Sequence, residues 1–124
     1  MEDLPRSQRL RGKEGVGRLF GEGSRGIAGR VLVRALPNDT GTTRIAAVAG
    51  KKLGKAVERN RMRRRLRAAF RTLKKTLPPG WDLALVARTG ILESTWPDLT
   101  RDVTLAVERA ITEGSGPNRS RPNR

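Results

Sequence analysis

A helix with one apolar face and one strongly basic face is the feature that most constrains this chain. It lies within residues 51–77. At 100° per residue, six apolar residues of this stretch fall within an arc roughly 100° wide. They are Met62, Leu66, Ala69, Phe70, Leu73 and Leu77. Because an apolar arc of this width packs on a core, the pattern predicts a helix from about Val57 to Thr76 that covers a folded domain.

The same stretch carries most of the positive charge of the protein. Residues 51–75 contain 12 of the 27 Lys and Arg residues and one acid, Glu58, which gives them a net +11 of the +15 of the whole chain. Like charge at this density repels itself unless a polyanion neutralises it, and the Arg fork matches phosphate oxygens well. We therefore expect a nucleic-acid-binding face. The alternative is a solvated basic helix, or a disordered basic segment, without a partner.

Arg59 departs from this separation of apolar and basic residues. It falls at the angle of the apolar arc, in the first turn of the predicted helix. A charge there is expected at the edge of the core. It either faces a groove between the helix and its neighbour, or it extends along the apolar arc until it reaches water.

The composition excludes several classes of function. The chain has no Cys and no His, which excludes disulfides, thiolate zinc sites and the Ser-His and Cys-His nucleophilic devices. No apolar run approaches 18 residues, and residues 1–20 lack a continuous apolar segment, so neither a membrane span nor a secretory signal is predicted. Binding to a lipid surface is disfavoured because the apolar arc has partners elsewhere in the chain. A single domain in the cytoplasm is expected.

The remaining pattern predicts an α+β domain over residues 9–113. A weak helix at Arg9–Gly23 precedes strands at residues 30–36 and 44–50, and a buried strand at 82–88 follows the basic helix. The first helix is predicted to turn Leu10, Val16, Leu19 and Phe20 inward. This order indicates one small sheet covered by helices.

The last predicted helix begins near a capping box formed by Thr95 and Asp98. Its expected buried face is Trp96, Leu99, Val103, Val107, Ala110 and Ile111. The ends of the chain lack core-forming residues, so residues 1–8 are expected to be flexible and residues 114–124 to be a disordered basic tail.

The segment from Lys51 to Arg61 resembles the signature of the bacterial ribonuclease P protein family. The matching features are two Lys residues, Gly54, Ala-Val, the triplet Arg59-Asn60-Arg61 and further basic residues on the same helix. A thinner similarity covers about residues 9–112. The resemblance implies a small mixed sheet in the order α-β-β-(β)-α-β-α, with a left-handed β-α-β crossover, as in the ribosomal protein S5 domain 2-like fold.

The resemblance also implies the function. The protein would be the accessory subunit of a catalytic RNA that removes the 5′ leader from precursor transfer RNA, with Mg²⁺ held mainly by RNA. Its partners would be that RNA and the leader, with no membrane and no DNA. The protein alone is not expected to cleave. The scattered acids and the absence of His agree with this, because a metal-dependent protein nuclease normally clusters carboxylates around Mg²⁺.

Residue roles follow from position in the resemblance. The residues implied to contact the catalytic RNA are Lys51, Lys52, Lys55, Arg59, Asn60, Arg61, Arg63, Arg64 and Arg67. The implied leader groove is lined by Val16, Phe20, Val31, Val33, Arg34 and Lys52. The outermost basic residues, Arg71, Lys74 and Lys75, are expected to be a solvated helix end. Whether the protein itself binds a metal is left open.

The implied groove lacks aromatic residues that the family usually has. Val16, Val31 and Arg34 stand at positions that are generally aromatic, so only Phe20 remains. Stacking contributes roughly 1–3 kcal/mol per base. We therefore expect the leader to be held more through its phosphates, with Arg34 and Lys52 replacing stacking. For Phe20, plain core packing is the alternative role.

Three other functions fit parts of the pattern. A ribosomal RNA-binding protein shares the small size and the charge but not the Arg-Asn-Arg signature. A DNA-architectural protein is disfavoured because no exposed apolar wedge or heptad pattern is visible. An autonomous nuclease is disfavoured by the missing His and the dispersed acids.

Overall fold

Residues 13–115 are described by a computed structural model and form a four-stranded sheet with helices on both faces. The elements in chain order are α1 (Lys13–Glu22), β1 (Ser24–Ala28), β2 (Val31–Pro37), β3 (Arg44–Val48), α2 (Ala56–Leu73), β4 (Trp81–Ala87) and α3 (Trp96–Ser115). The predicted α+β architecture is confirmed. The hand of the crossover stays a prediction.

The sheet has the strand order β1-β2-β4-β3. β1 pairs with β2, and β2 with β4, in antiparallel fashion, whereas β3 and β4 are parallel and are joined by α2. Arg44 fixes the start of the parallel pair, because its Nε and Nη2 each donate to the Asp82 carboxylate at 2.8 Å. This hydrogen-bonded pairing raises the pKa of Arg44. The mixed sheet is the one the resemblance implied.

β1 is the strand whose sequence gives the weakest signal. The strand prediction began only at residue 30, because Gly26 and Gly29 looked like a connection. A Cβ at Gly26 would collide with the backbone of α3 at Ala106 and Ala110. The missing side chain therefore allows α3 to lie directly on this edge strand, which explains a glycine inside a strand.

The main core lies on one face of the sheet, under α2 and α3. β2 presents Val31, Val33 and Ala35 to it, each at most 1% exposed. α2 contributes its predicted apolar arc, of which Met62, Leu66, Ala69 and Phe70 are buried. The 3.6-residue periodicity in the sequence thus identified the buried face of this helix correctly.

α1 covers part of the opposite face. Leu19 is 1% exposed, as predicted, but Phe20 is 40% exposed, so the prediction that Phe20 points inward is wrong. Adjacent positions on a helix point in directions about 100° apart, which is why one residue is buried and the next is not. The predicted helix start at Arg9 and the inward place of Leu10 lie outside the described residues.

The boundaries of α2 and α3 follow from local contacts. The Glu58 carboxylate caps the start of α2 by accepting the backbone N–H of Lys55 at 2.9 Å. Any Cβ at Gly54, which has φ 151°, would meet that carboxylate. The Thr95 hydroxyl caps the start of α3 by accepting the backbone N–H of Asp98 at 3.2 Å, as predicted. α3 ends at Ser115, two residues into the predicted tail, and the rest of that tail, with residues 1–8, lies outside the described range.

Candidate nucleic-acid interface

One edge of the sheet gathers most of the predicted RNA-contact residues. The register pairs Val31 with Ala87 and Val48 with Val86, so the ends of β3 and β4 and the start of β2 lie together. The chain leaves β3 through a 3-10 turn at Lys51–Leu53 and enters α2 directly. The basic turn and the first turns of α2 therefore stand side by side at this edge.

The predicted RNA-contact residues differ in their freedom to meet a ligand. Arg61 and Arg64 are exposed, Arg67 is half-buried, and none of the three forms a hydrogen bond or an ion pair with another residue of the range 13–115. The side chains exposed with them are Lys51, Lys52, Lys55 and Asn60. We name the set of Arg61, Arg64 and Arg67 with these four residues the basic surface.

Three of the predicted RNA-contact residues form side-chain hydrogen bonds within the protein. Arg59 is half-buried and its Nε donates to the carbonyl oxygen of Gly54 at 3.1 Å. The expected place of Arg59 at the edge of the core is confirmed, and this hydrogen bond holds its charge against the preceding loop. Arg63 donates from Nη2 to Asn60 Oδ1 at 2.9 Å, which fixes the Asn60 amide on the helix surface.

Arg65 has a role that the sequence did not reveal. Its Nη1 donates to the carbonyl oxygen of Ser94 at 3.0 Å and approaches those of Ile91 and Leu92 at 3.4 Å. These carbonyls belong to the short 3-10 turn Ile91–Glu93 and the residue after it. Arg65 therefore binds the segment before α3 to α2 instead of extending the basic surface.

A cleft of about 530 Å³ opens beside the basic turn, on the face of the sheet that carries α1. Its apolar side chains come from α1, β3, β4 and the turn at Lys51–Leu53, and Arg88 adds a charge. The lining residues are Phe20, Gly29, Val48, Gly50, Leu53, Val86, Ala87, Arg88 and Thr89. A partly apolar cleft bordered by cations suits a ligand that has both flat and anionic parts.

Only Phe20 of the six predicted groove residues lines this cleft. Val31 and Val33 were predicted wrongly, because both are fully buried in the core on the other face of the sheet. Val16 is half-buried on α1, and Lys52 is exposed on the turn next to Leu53. The exposure of Phe20 also excludes plain core packing as its role.

Arg34 does not line the cleft but binds the end of α1, which carries Phe20. Its Nη2 donates to the carbonyl oxygens of Phe20 and Gly23, each at 3.0 Å, and its guanidinium carbon lies 5.9 Å from the centre of the Phe20 ring. Its Nε is buried without a hydrogen-bond partner among the described residues. Burial lowers the pKa of Arg34, and the charge of Arg25 lowers it further. Arg34 thus holds the end of α1.

Val48 and Val86 are cleft residues that the sequence-based prediction missed. Side chains alternate between the two faces of a strand, so Val31 and Val33 could not share a face with Arg34. The alternation assigns Leu32 and Arg34 to the α1 face together with their pairing partners Val86 and Ala84. Leu53 and Arg88 follow strand ends, and only the fold reveals that they meet.

A metal site built from the protein is not found in the described range. Within residues 13–115, no three potential ligands among Asp, Glu, His and Cys come close enough to hold an ion. In the same range, no helix is long and apolar enough to cross a membrane.

The protein family described as Ribonuclease P matches residues 4–111 of the chain. The chain belongs to this family. The ribonuclease P protein component of Roseiflexus sp. strain RS-1 is 40% identical over 108 residues, which cover 86% of this chain and 88% of the relative. The component from Symbiobacterium thermophilum is 37% identical over 109 residues, covering 86% and 94%.

The fold agrees with a solved member of the ribonuclease P family. The RNase P protein from Thermotoga maritima superposes with a TM-score of 0.74 at 25% sequence identity, covering 82% of this chain and 96% of that protein. The similarity therefore extends over nearly the whole of that relative.

Proposed function

We propose that this chain is the RNA-binding protein subunit of ribonuclease P. It would assist a catalytic RNA in the Mg²⁺-dependent removal of the 5′ leader from precursor transfer RNA, in the cytoplasm. The observation that carries the proposal is the basic surface next to the cleft, at one edge of the sheet. These two features offer one face to a structured RNA and another to a single strand.

The basic surface would bind the phosphates of the catalytic RNA. Arg61 and Arg64 are exposed on α2 and form no bonds within the described residues, so no internal contact has to break before they bind. Each phosphate that they neutralise releases condensed counterions, which favours binding at low salt. This gain in binding free energy falls as the salt concentration rises. The contribution of α2 is thus to lower the repulsion between two RNA molecules.

The cleft would hold the leader of the precursor. The exposed ring of Phe20 can stack on one base, and Val48, Leu53 and Val86 offer apolar contact around it. Lys52, exposed beside Leu53, would contact the phosphates together with Arg88. Arg88 lines the cleft and is held there by donating from Nη1 to the carbonyl oxygen of Gly29 at 3.1 Å. Arg34 would act as a positioning residue for Phe20, since its guanidinium is bound to the end of α1. This replaces the expectation that Arg34 holds a phosphate directly.

Mg²⁺ would be held mainly by RNA. The described residues do not fit a magnesium site, because their carboxylates are not grouped around a common point. Mg²⁺ in such reactions activates water and stabilises the leaving oxygen. We assign no step of that chemistry to a residue of this chain.

The test is cleavage of a precursor transfer RNA by a bacterial ribonuclease P RNA at low Mg²⁺. The 5′ leader should be released only when RNA and protein are both present. The double variant Arg61→Ala, Arg64→Ala should remove most of the stimulation. The matched control is Arg18→Ala, Arg101→Ala, which removes two exposed Arg residues that are paired with Glu22 and Asp98 on α1 and α3. This control should keep the stimulation.

Three other results would redirect the proposal. Tight binding to ribosomal RNA fragments without any stimulation would favour a ribosomal role. Leader release by the protein alone would establish a nuclease. An equal loss of stimulation in the double variant and its control would show that the net charge of the protein matters and that the position of the Arg residues on α2 does not.

The cleft has its own test, in which Phe20 is replaced by Leu. The substitution keeps an apolar side chain but removes the stacking ring, so we expect a roughly five- to hundredfold weaker affinity of the holoenzyme for precursor carrying a leader. Affinity for leaderless transfer RNA should not change. A binding titration with both RNAs measures the ratio, and an equal effect on the two would contradict a leader site in the cleft.

A further inference from the structure

Trp96 is an exposed aromatic side chain outside the basic surface and the cleft. It is the first residue of α3 and is 41% exposed, although the sequence pattern had placed it on the buried face of that helix. It does share the side of α3 that carries Leu99 and Val103, both fully buried. The ring therefore lies where the buried face of α3 reaches the surface of the protein.

Arg65 fixes the start of α3 against α2. Its side chain donates to the carbonyl oxygen of Ser94, two residues before Trp96, at 3.0 Å. Two residues of chain span at most about 7 Å, so Trp96 is close to this point of α2. The position of the ring relative to α2 is thus set by a contact within the protein.

Two cations of α2 that form no bond within the described residues lie within about one helical turn of Arg65. Arg61 precedes Arg65 by one helical turn on the same side of α2, about 6 Å along the axis. Arg64 is the neighbour of Arg65 and is exposed. A flat aromatic surface beside unpaired guanidinium groups is the combination that binds a base together with its phosphate.

The charges around Trp96 favour different positions for the base and the phosphate of such a ligand. Glu93 and Asp98 flank the ring along the chain, and Asp98 is paired with Arg101 at 3.0 Å. These carboxylates would repel a phosphate at α3 itself. The charges therefore favour a nucleotide whose base lies on Trp96 and whose phosphate points towards Arg61 and Arg64.

We propose that Trp96 is a stacking site for one unpaired base of the catalytic RNA. The site rests on the proposed function, because its ligand is the RNA that the basic surface binds. It differs from the leader site, since Trp96 is on α3 and is not part of the cleft. The contact is with the RNA subunit, so it does not require a precursor substrate.

Tryptophan fluorescence tests the site directly. The chain has two Trp residues, and Trp81 is buried at 9% exposed. In a full-length Trp81→Phe variant, Trp96 is the only Trp. Titration with a bacterial ribonuclease P RNA, without precursor, should quench most of its emission and protect it from acrylamide. Binding of the RNA is followed separately by filter retention.

Substitutions at Trp96 separate stacking from packing. Trp96→Leu keeps an apolar contact on α3 and should weaken RNA binding roughly five- to hundredfold. Trp96→Phe retains a ring and should lose less. Thermal unfolding of each variant gives the control: affinities that follow the melting temperatures, with Leu and Phe equally weak, would show a structural role and overturn the site.

The outcomes distinguish the site from the function on which it rests. Tight RNA binding with unchanged Trp96 emission would overturn the stacking site and leave the proposed function intact. Failure of the parent protein to bind the RNA would overturn both.

Discussion

α2 and α3 are similar as packing elements and opposite as charged surfaces. They have 18 and 20 residues, and both place an apolar side on the same face of the sheet. α2 carries seven Arg residues against one Glu, a net +6. α3 carries four acids against two Arg residues, a net −2. Packing on the core therefore determines the apolar side of both helices, and it does not determine the charge of their exposed sides.

Three of the six charged residues of α3 attach it to the rest of the fold. Asp102 is 8% exposed and accepts the backbone N–H of Arg30 at 3.2 Å. Arg109 donates to the carbonyl oxygen of Ile27 at 2.7 Å, and Glu113 accepts the N–H of Arg25 at 2.9 Å. These contacts attach α3 to the edge strand β1 and its turn.

The charged residues of α2 are arranged differently. Arg59 and Arg65 bind backbone carbonyls nearby, whereas Arg61, Arg64 and Arg67 bind nothing within the described residues. The function of a charged residue on these helices therefore depends on its partners and not on the helix that carries it. A basic helix contains both structural and ligand-binding Arg residues, and only contacts separate them.

The largest expected effect tests what the two helices share. Leu66 in α2 and Leu99 in α3 are both 0% exposed, so Leu66→Ala and Leu99→Ala form a matched pair. Each should lower the free energy of unfolding by about 2–5 kcal/mol, because a cavity replaces the side chain. Urea denaturation measures both. A clear loss in one and none in the other would show that the helices are not equal partners in the core.

The next effect tests the structural charges of α3. Asp102→Ala removes the acceptor of the Arg30 N–H and should cost about 1–3 kcal/mol of stability. Arg64→Ala on α2, the matched charge deletion, should change stability by less than about 0.5 kcal/mol. Thermal unfolding of the two variants gives the difference. If Arg64→Ala were the more destabilising, the assignment of the two helices would have to be reversed.

Arg65 offers a way to sharpen the comparison within α2. Arg65→Ala removes the donor that Ser94 and Leu92 share, whereas the Ile91 carbonyl keeps the backbone N–H of Ser94 at 3.1 Å. We expect a loss of roughly 1–2 kcal/mol of unfolding free energy. Native-state hydrogen exchange should report faster opening at the start of α3. Unchanged exchange there would mean that Arg65 is a surface charge like Arg64.

Helical periodicity made the main face of α2 predictable from the sequence. Leu66 and Phe70 repeat at the spacing of one helix side, and local geometry alone decides that they share it. The Arg-Asn-Arg signature likewise identified the family. Both inferences depend only on residues close together in the chain.

The cleft and the structural Arg residues were not predictable in this way. Val31 and Val33 were assigned to the groove by position, although strand alternation places them opposite Arg34. Arg65 reaches carbonyls 26–29 residues ahead, so nothing local distinguishes it from Arg64. The sequence pattern does not predict β1, because Gly26 looks like a turn residue. A glycine is needed there because the backbone of α3, 80 residues further along the chain, packs directly on this strand.

The salt dependence of binding to the catalytic RNA tests the central claim that the exposed Arg residues of α2 contact phosphate. In a plot of log affinity against log salt, Arg61→Ala with Arg64→Ala should reduce the slope by about 1.4 to 1.8, the value for two lost phosphate contacts. Arg18→Ala with Arg101→Ala should leave the slope close to that of the parent protein. Equal slopes for the parent and the α2 variant would contradict the account.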